Sequence, residues 1–197
     1  MVGAVQIEPV DPTRLPDLDR LFDTSRATRR CWCTAFCTTT QQFARGWFGG
    51  GNQRRFRSMA ASTSSPMGLL AYVDGVPVAW CACGPRSRYM AAISGRSKVL
   101  AGECRDEDDQ VWLIACLYVD PEHRSDGLVP GLVSAAVTLA AERGARAVQA
   151  WPRARGSRDS ALVHVGGEAI FLRLGFQRVQ QFDDSRVLLR RDLTDLR

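Results

Sequence analysis

Lysine is nearly missing from this chain of 197 residues: Lys98 is the only one among 26 basic residues. Histidine is almost as scarce, confined to His123 and His164. Two histidines exclude a histidine-rich metal centre and leave few side chains that titrate near neutrality. No stretch approaches the roughly 18 to 20 consecutive apolar residues needed to span a bilayer. The N-terminal "MVGAVQIEPVDPTR" has no basic segment running into an apolar one, as a secretory signal would. The expectation is a cytoplasmic protein without membrane contact.

Cysteine, by contrast, is plentiful, but seven is an odd number and argues against a secreted disulfide framework. The pairs Cys31-x-Cys33, with Cys37 nearby, and Cys81-x-Cys83 are spaced more tightly than structural zinc ligands usually are. Reduced thiols packing as small apolar side chains are expected, and no metal. The net charge of +5 is carried by arginines scattered without an aromatic-interleaved stripe. A solvated basic surface is therefore favoured over nucleic-acid binding, and it would also suit a small polyanionic cofactor. With 45% apolar residues the chain can bury one core, and residues 1–197 read as one domain.

Residues 4–10 read as a strand and 13–24 as a helix. Residues 25–65 have aromatics at spacings that allow one or two helices broken at Gly49-Gly50-Gly51, but no clear period. Asp74-Gly75 between two apolar runs predicts a hairpin of strands 68–73 and 76–83. A polar connection follows to the acidic run at 106–109. "VWLIACLYV" (111–119) is apolar on both faces, as a central strand would be. A helix is expected over 129–143, then a strand in "ARAVQAWP", a short helix at 168–174 and a terminal strand pair. The fold class read from these elements is mixed α/β.

The order of hairpin, central strand, polar loop, helix, strand, helix and "GF" resembles the GNAT superfamily of acyl-CoA-dependent N-acetyltransferases. Its R/Q-x-x-G-x-G/A signature is matched by Arg124-Ser125-Asp126-Gly127-Leu128-Val129, and its F-x-x-x-G-F by "FLRLGF". The resemblance covers 68–191 most strongly and implies that Arg124, Ser125, Asp126, Gly127, Leu128 and Val129 cradle the pyrophosphate of acetyl-CoA. Backbone groups at Leu117 and Val119 would receive its amide-bearing arm. The acceptor would be a primary amine, on a small molecule or a peptide, attacking directly in a ternary complex. The fold that the resemblance implies is a central mixed, mostly antiparallel sheet flanked by helices, and a homodimer is compatible with it.

Three residues depart from the pattern: Val129 adds bulk where the family has Gly or Ala, Asp126 adds negative charge, and Pro130 removes an N–H donor. Leu172 stands where the family's proton-donating tyrosine usually lies, so His164 is the first substitute and Tyr118 the second. The base is sought in the acidic run 106–109 or in water. Trp32, Trp80 and Tyr89 are read as acceptor-pocket or core residues. Two other classes remain open: a catalytically silent GNAT fold that binds a ligand or partner, and a nucleic-acid binder.

Overall fold

The computed structural model describes residues 4–89, 105–124, 126–154, 166–181 and 186–193. Strand β1 (Val5–Pro9) leads into a single 3-10 turn capped by Asp11, whose carboxylate accepts from the N–H groups of Thr13 and Arg14. Helix α1 (Leu15–Asp23) buries Leu18, Leu21 and Phe22, the i, i+3, i+4 stripe expected of one packed face.

The segment 25–65 forms three helices: α2 (Arg26–Cys31), α3 (Thr40–Gly46) and α4 (Gly51–Ser62). Each starts on a local device. Ser25 caps α2, Thr39 and Gln42 form a reciprocal capping box on α3, and Gly50 enters α4 in the left-handed region. Asn52 is buried and donates to the carbonyls of Arg30 and Phe43, which fastens α4 to the two helices before it.

Among the described residues the sheet has seven strands in the order β1-β2-β3-β4-β5-β7-β6. The remaining strands are β2 (Gly68–Val73), β3 (Val76–Pro85), β4 (Val111–Val119), β5 (Ala147–Ala150), β6 (Gln177–Gln181) and β7 (Val187–Asp192). Asp74 and Gly75 turn the β2–β3 hairpin with φ of 49° and 80°, the signs a two-residue hairpin of this kind requires. Every neighbouring pair is antiparallel except β4–β5. That parallel pair needs a crossover, supplied by helix α5 (Leu128–Glu142).

The two faces are covered differently. Trp80 and Tyr118, opposite each other on β3 and β4, turn toward Phe22 of α1. Ile7 belongs to the other face and lies under α5, where a Cβ on Gly131 would come within 3.4 Å of its Cδ1. Burial on both sides accounts for the uninterrupted apolar reading of β4. Helix α6 (Glu168–Arg173) ends at Gly175 in the left-handed region, and the Phe176 N–H returns to the Phe171 carbonyl. The rings of Phe171 and Phe176 then meet edge to face at 5.3 Å, so "FLRLGF" is a helix stop folded back on itself.

Candidate active site

The ladder between β4 and β5 is short. It runs from Val111↔Ala147 to Ile114↔Ala150 and stops, while β4 continues to Val119. At the same level the β3–β4 register slips: Ala82 faces Cys116 and Cys83 faces Ile114. Ala115 is thus an extra residue, a bulge that bends β4 where β5 leaves it.

Beyond the bulge the Asp120 N–H donates to the Val78 carbonyl at 2.8 Å, which fixes the phase of the strand. Tyr118 and Asp120 direct their main-chain groups toward β3. Leu117 and Val119 direct theirs the opposite way, where no described strand receives them. Two backbone N–H groups therefore face the crevice beyond the carboxyl ends of a parallel pair, a recurrent place for ligands in α/β sheets.

The chain then passes through a 3-10 turn at Pro121–His123, capped by Asp120, and enters α5 at Gly127. Gly127 has φ of 69°, and a Cβ there would meet nothing within 4 Å. No side chain caps the helix, and its first turn holds no acid. Four N–H groups at such a helix start lack intrahelical partners. Here Gly127, Leu128 and Val129 keep theirs and Pro130 has none, so three donors remain beside an open space. This arrangement suits an anion with several oxygens. Pro130 stands at the third helical position.

Asp126 turns its carboxylate onto the His123 ring, Oδ2 to Nδ1 at 2.7 Å, so its charge is engaged sideways. Val129 is half-buried, and its Cγ1 would lie 3.9 Å from a Cβ on Gly166. Its methyl is thus turned toward Gly166. Arg124 is exposed at the end of the 3-10 turn. Ser125 and His164 lie outside the described residues.

A family model, Acetyltransferase (GNAT) family, matches residues 35–160. The chain belongs to the GNAT acetyltransferases. Solved structures share the architecture over nearly the whole length. YncA of Salmonella typhimurium, with its cofactor acetyl-CoA, has a TM-score of 0.59 at 15% identity, covering 98% of this chain and 96% of that one. An N-acetyltransferase from Staphylococcus aureus Mu50 scores 0.57 at 12% identity, covering 96% and 99%. The paia N-acetyltransferase of Thermoplasma acidophilum, in complex with coenzyme A, scores 0.54 at 11% identity with the same coverage. At these identities they report the fold. No curated protein matches the sequence.

The GNAT fold thus extends beyond 68–191, where the resemblance was strongest, to the N-terminal residues. Within it Tyr118 sits on the α1 face, its hydroxyl 2.8 Å from Thr24 Oγ1. The acidic run 106–109 is at the wrong end of β4 for a base. A strand of nine residues extends roughly 30 Å. Asp108 is moreover paired with the fully buried Arg86 at 2.6 Å, and Glu107 pairs with Arg190. Trp80 and Tyr89 are core residues, buried to 0% and 1% exposure. Burial also raises the Tyr89 phenol well above its usual range.

The sequence reading missed the roof over the site. The loop after α2 lays Cys33 Sγ on Cys116 Sγ at 3.5 Å, one residue past the bulge, and Phe36 on Trp151 at 5.1 Å, one residue past β5. Trp32 and Cys33 reach this position with φ of 50° and 46°, a left-handed pair that non-glycine residues adopt only when held.

Proposed function

We propose that this GNAT acetyltransferase moves an acetyl group from acetyl-CoA to a primary amine, by direct attack with both substrates bound. The observation that carries the reading is the opening of β4 from β5 at Ile114↔Ala150, directly before the uncapped start of α5. Leu117 and Val119 would hold the amide-bearing arm through main-chain groups. Arg124, Ser125, Asp126, Gly127, Leu128 and Val129 would hold the pyrophosphate, with the N–H groups of 127 to 129 as donors. When bound, acetyl-CoA supplies an acyl group activated as a thioester.

One N–H at the end of β4 would stabilise charge developing on the thioester carbonyl oxygen. An attacking amine with a reference pKa near 10.4 must first shed its proton. The described residues place no free carboxylate on β4, so water carries that proton out in this reading. His164 is proposed as the group that returns a proton to the departing sulfur, with Tyr118 as the second candidate. The six described cysteines are all free, which supports a reducing, cytoplasmic setting.

The test is thiol release from acetyl-CoA across a panel of small and peptide amines. Release that depends on both the amine and an intact loop 124–129 is expected. Tight acetyl-CoA binding with no release for any amine would replace this reading with a ligand-binding one.

A further inference from the structure

Between the end of α2 and the α3–α4 turn lies a cleft of about 410 Å³, lined by Arg30, Trp32, Trp47, Phe48 and the Asp23–Arg29 pair. Its charges do not cancel. Arg29 Nε lies 2.8 Å from Asp23 Oδ1 and neutralises it. The Arg30 guanidinium makes no ion pair among the described residues and rests over the Phe48 ring, 5.2 Å from its centroid. Phe48 is 71% exposed, the most exposed large apolar side chain among the described residues. Trp47 stands next to it, braced edge to face on Phe43 at 5.5 Å. The cleft therefore offers one uncompensated cation beside an unburied aromatic wall.

It also connects to the site already described. Trp32 meets Phe22 at 5.1 Å, and Phe22 meets Tyr118 at 6.4 Å. Thr24, next in sequence to Asp23, holds the Tyr118 hydroxyl. An occupant touching Trp32 is thus two packed side chains, Trp32 and Phe22, away from Tyr118 near the end of β4.

We infer that this cleft binds an apolar carboxylate, with the acid on Arg30 and the apolar group on Phe48 and Trp47. A guanidinium fits a carboxylate through two parallel N–H donors, and its stacking on Phe48 holds the fork in place. An amine that carries such a group is then the acceptor class, a step that rests on the transferase reading.

Calorimetry without acetyl-CoA tests the cleft alone. The probes are 3-phenylpropionate against 3-phenylpropionamide, and a tripeptide ending in phenylalanine as free acid against its amide. The first pair represents a free small acid, the second a peptide terminus. At least one pair should show about a tenfold or greater preference for the acid, as a charge-assisted hydrogen bond gives. Arg30→Gln should abolish that preference, and Phe48→Ala, at an exposed position, should weaken acid and amide alike. Equal affinity for acid and amide in both pairs would overturn the inference, as would a preference that survives Arg30→Gln.

Thiol release with the same tripeptides, their amino termini free, tests the acceptor step. The acid should exceed the amide in kcat/KM by a similar factor, and Arg30→Gln should bring the two together. A kcat/KM ratio near one despite an acid preference in binding overturns the acceptor step alone. No release from any amine overturns the transferase reading and leaves the cleft intact.

Discussion

Gly127→Ala and Gly144→Ala form a matched pair of perturbations at the two ends of α5. Gly127 precedes the helix with φ of 69° and Gly144 follows it with φ of 77°. Both are exposed, and a Cβ at either meets nothing within 4 Å. The only folding cost is then that of forcing an alanine into the left-handed region, about 1 to 2 kcal/mol at each site. For a chain of this size that lowers the melting temperature by about 2 to 8 °C, in both variants alike. Their effects on acetyl-CoA should differ. At Gly127 the new methyl stands among the three N–H donors proposed for the pyrophosphate, and a loss of about 1.4 kcal/mol there is tenfold in Kd. At Gly144 it stands beyond the other end of the helix, and Kd should not move. Thermal melts followed by circular dichroism give the first quantity and titration calorimetry with acetyl-CoA the second. Equal melting shifts with equal, unaltered affinities would show that the cofactor does not use this loop.

Asp108→Ala should destabilise the fold by about 1 to 3 kcal/mol, because it removes the carboxylate that accepts from Nε of a fully buried Arg86; an unchanged urea midpoint would contradict this. The thiols of Cys33, Cys37 and Cys81 should resist Ellman's reagent in the native protein and react quickly after unfolding. Burial pushes Cys37 up to about 12, the hydrogen bond to Cys116 and burial raise Cys33, and the bond to Cys83 and burial raise Cys81. Fast native titration of these three thiols would refute that. His164→Ala should lower kcat by about 10²-fold to 10⁴-fold and leave acetyl-CoA affinity nearly unchanged; if kcat stays within about threefold, Tyr118→Phe becomes the informative variant.

The features legible in the sequence are those set by neighbours along the chain. Asp74-Gly75 dictates its own turn, β4 shows in its apolar run, and Gly175 announces the end of α6. Residues 25–65 were illegible because α2 and α3 are only 6 and 7 residues long, too short to establish a period. Their order comes from contacts distant in sequence, such as Asn52 on Arg30 and Phe43 or Cys33 on Cys116. The opening between β4 and β5 was equally hidden. It depends on where a ladder stops and on one extra residue at Ala115, and strand register leaves no mark in either strand read alone. The glycine at 127 was visible, whereas the sideways engagement of Asp126 by His123 and the turn of Val129 toward Gly166 were not.

The four-residue ladder also has a consequence for how the protein is made. On the ribosome β4 emerges before β5, with the whole of α5 still to come between them. During that interval β3 pairs one edge of β4 while the other edge, apolar from Val111 to Val119, has no partner within its own chain. Such an edge is a template for strands of other chains. Synthesis halted after α5 would leave it exposed for good, so truncation near residue 144 should yield aggregates, and the timing of β5 guards this protein's solubility at birth.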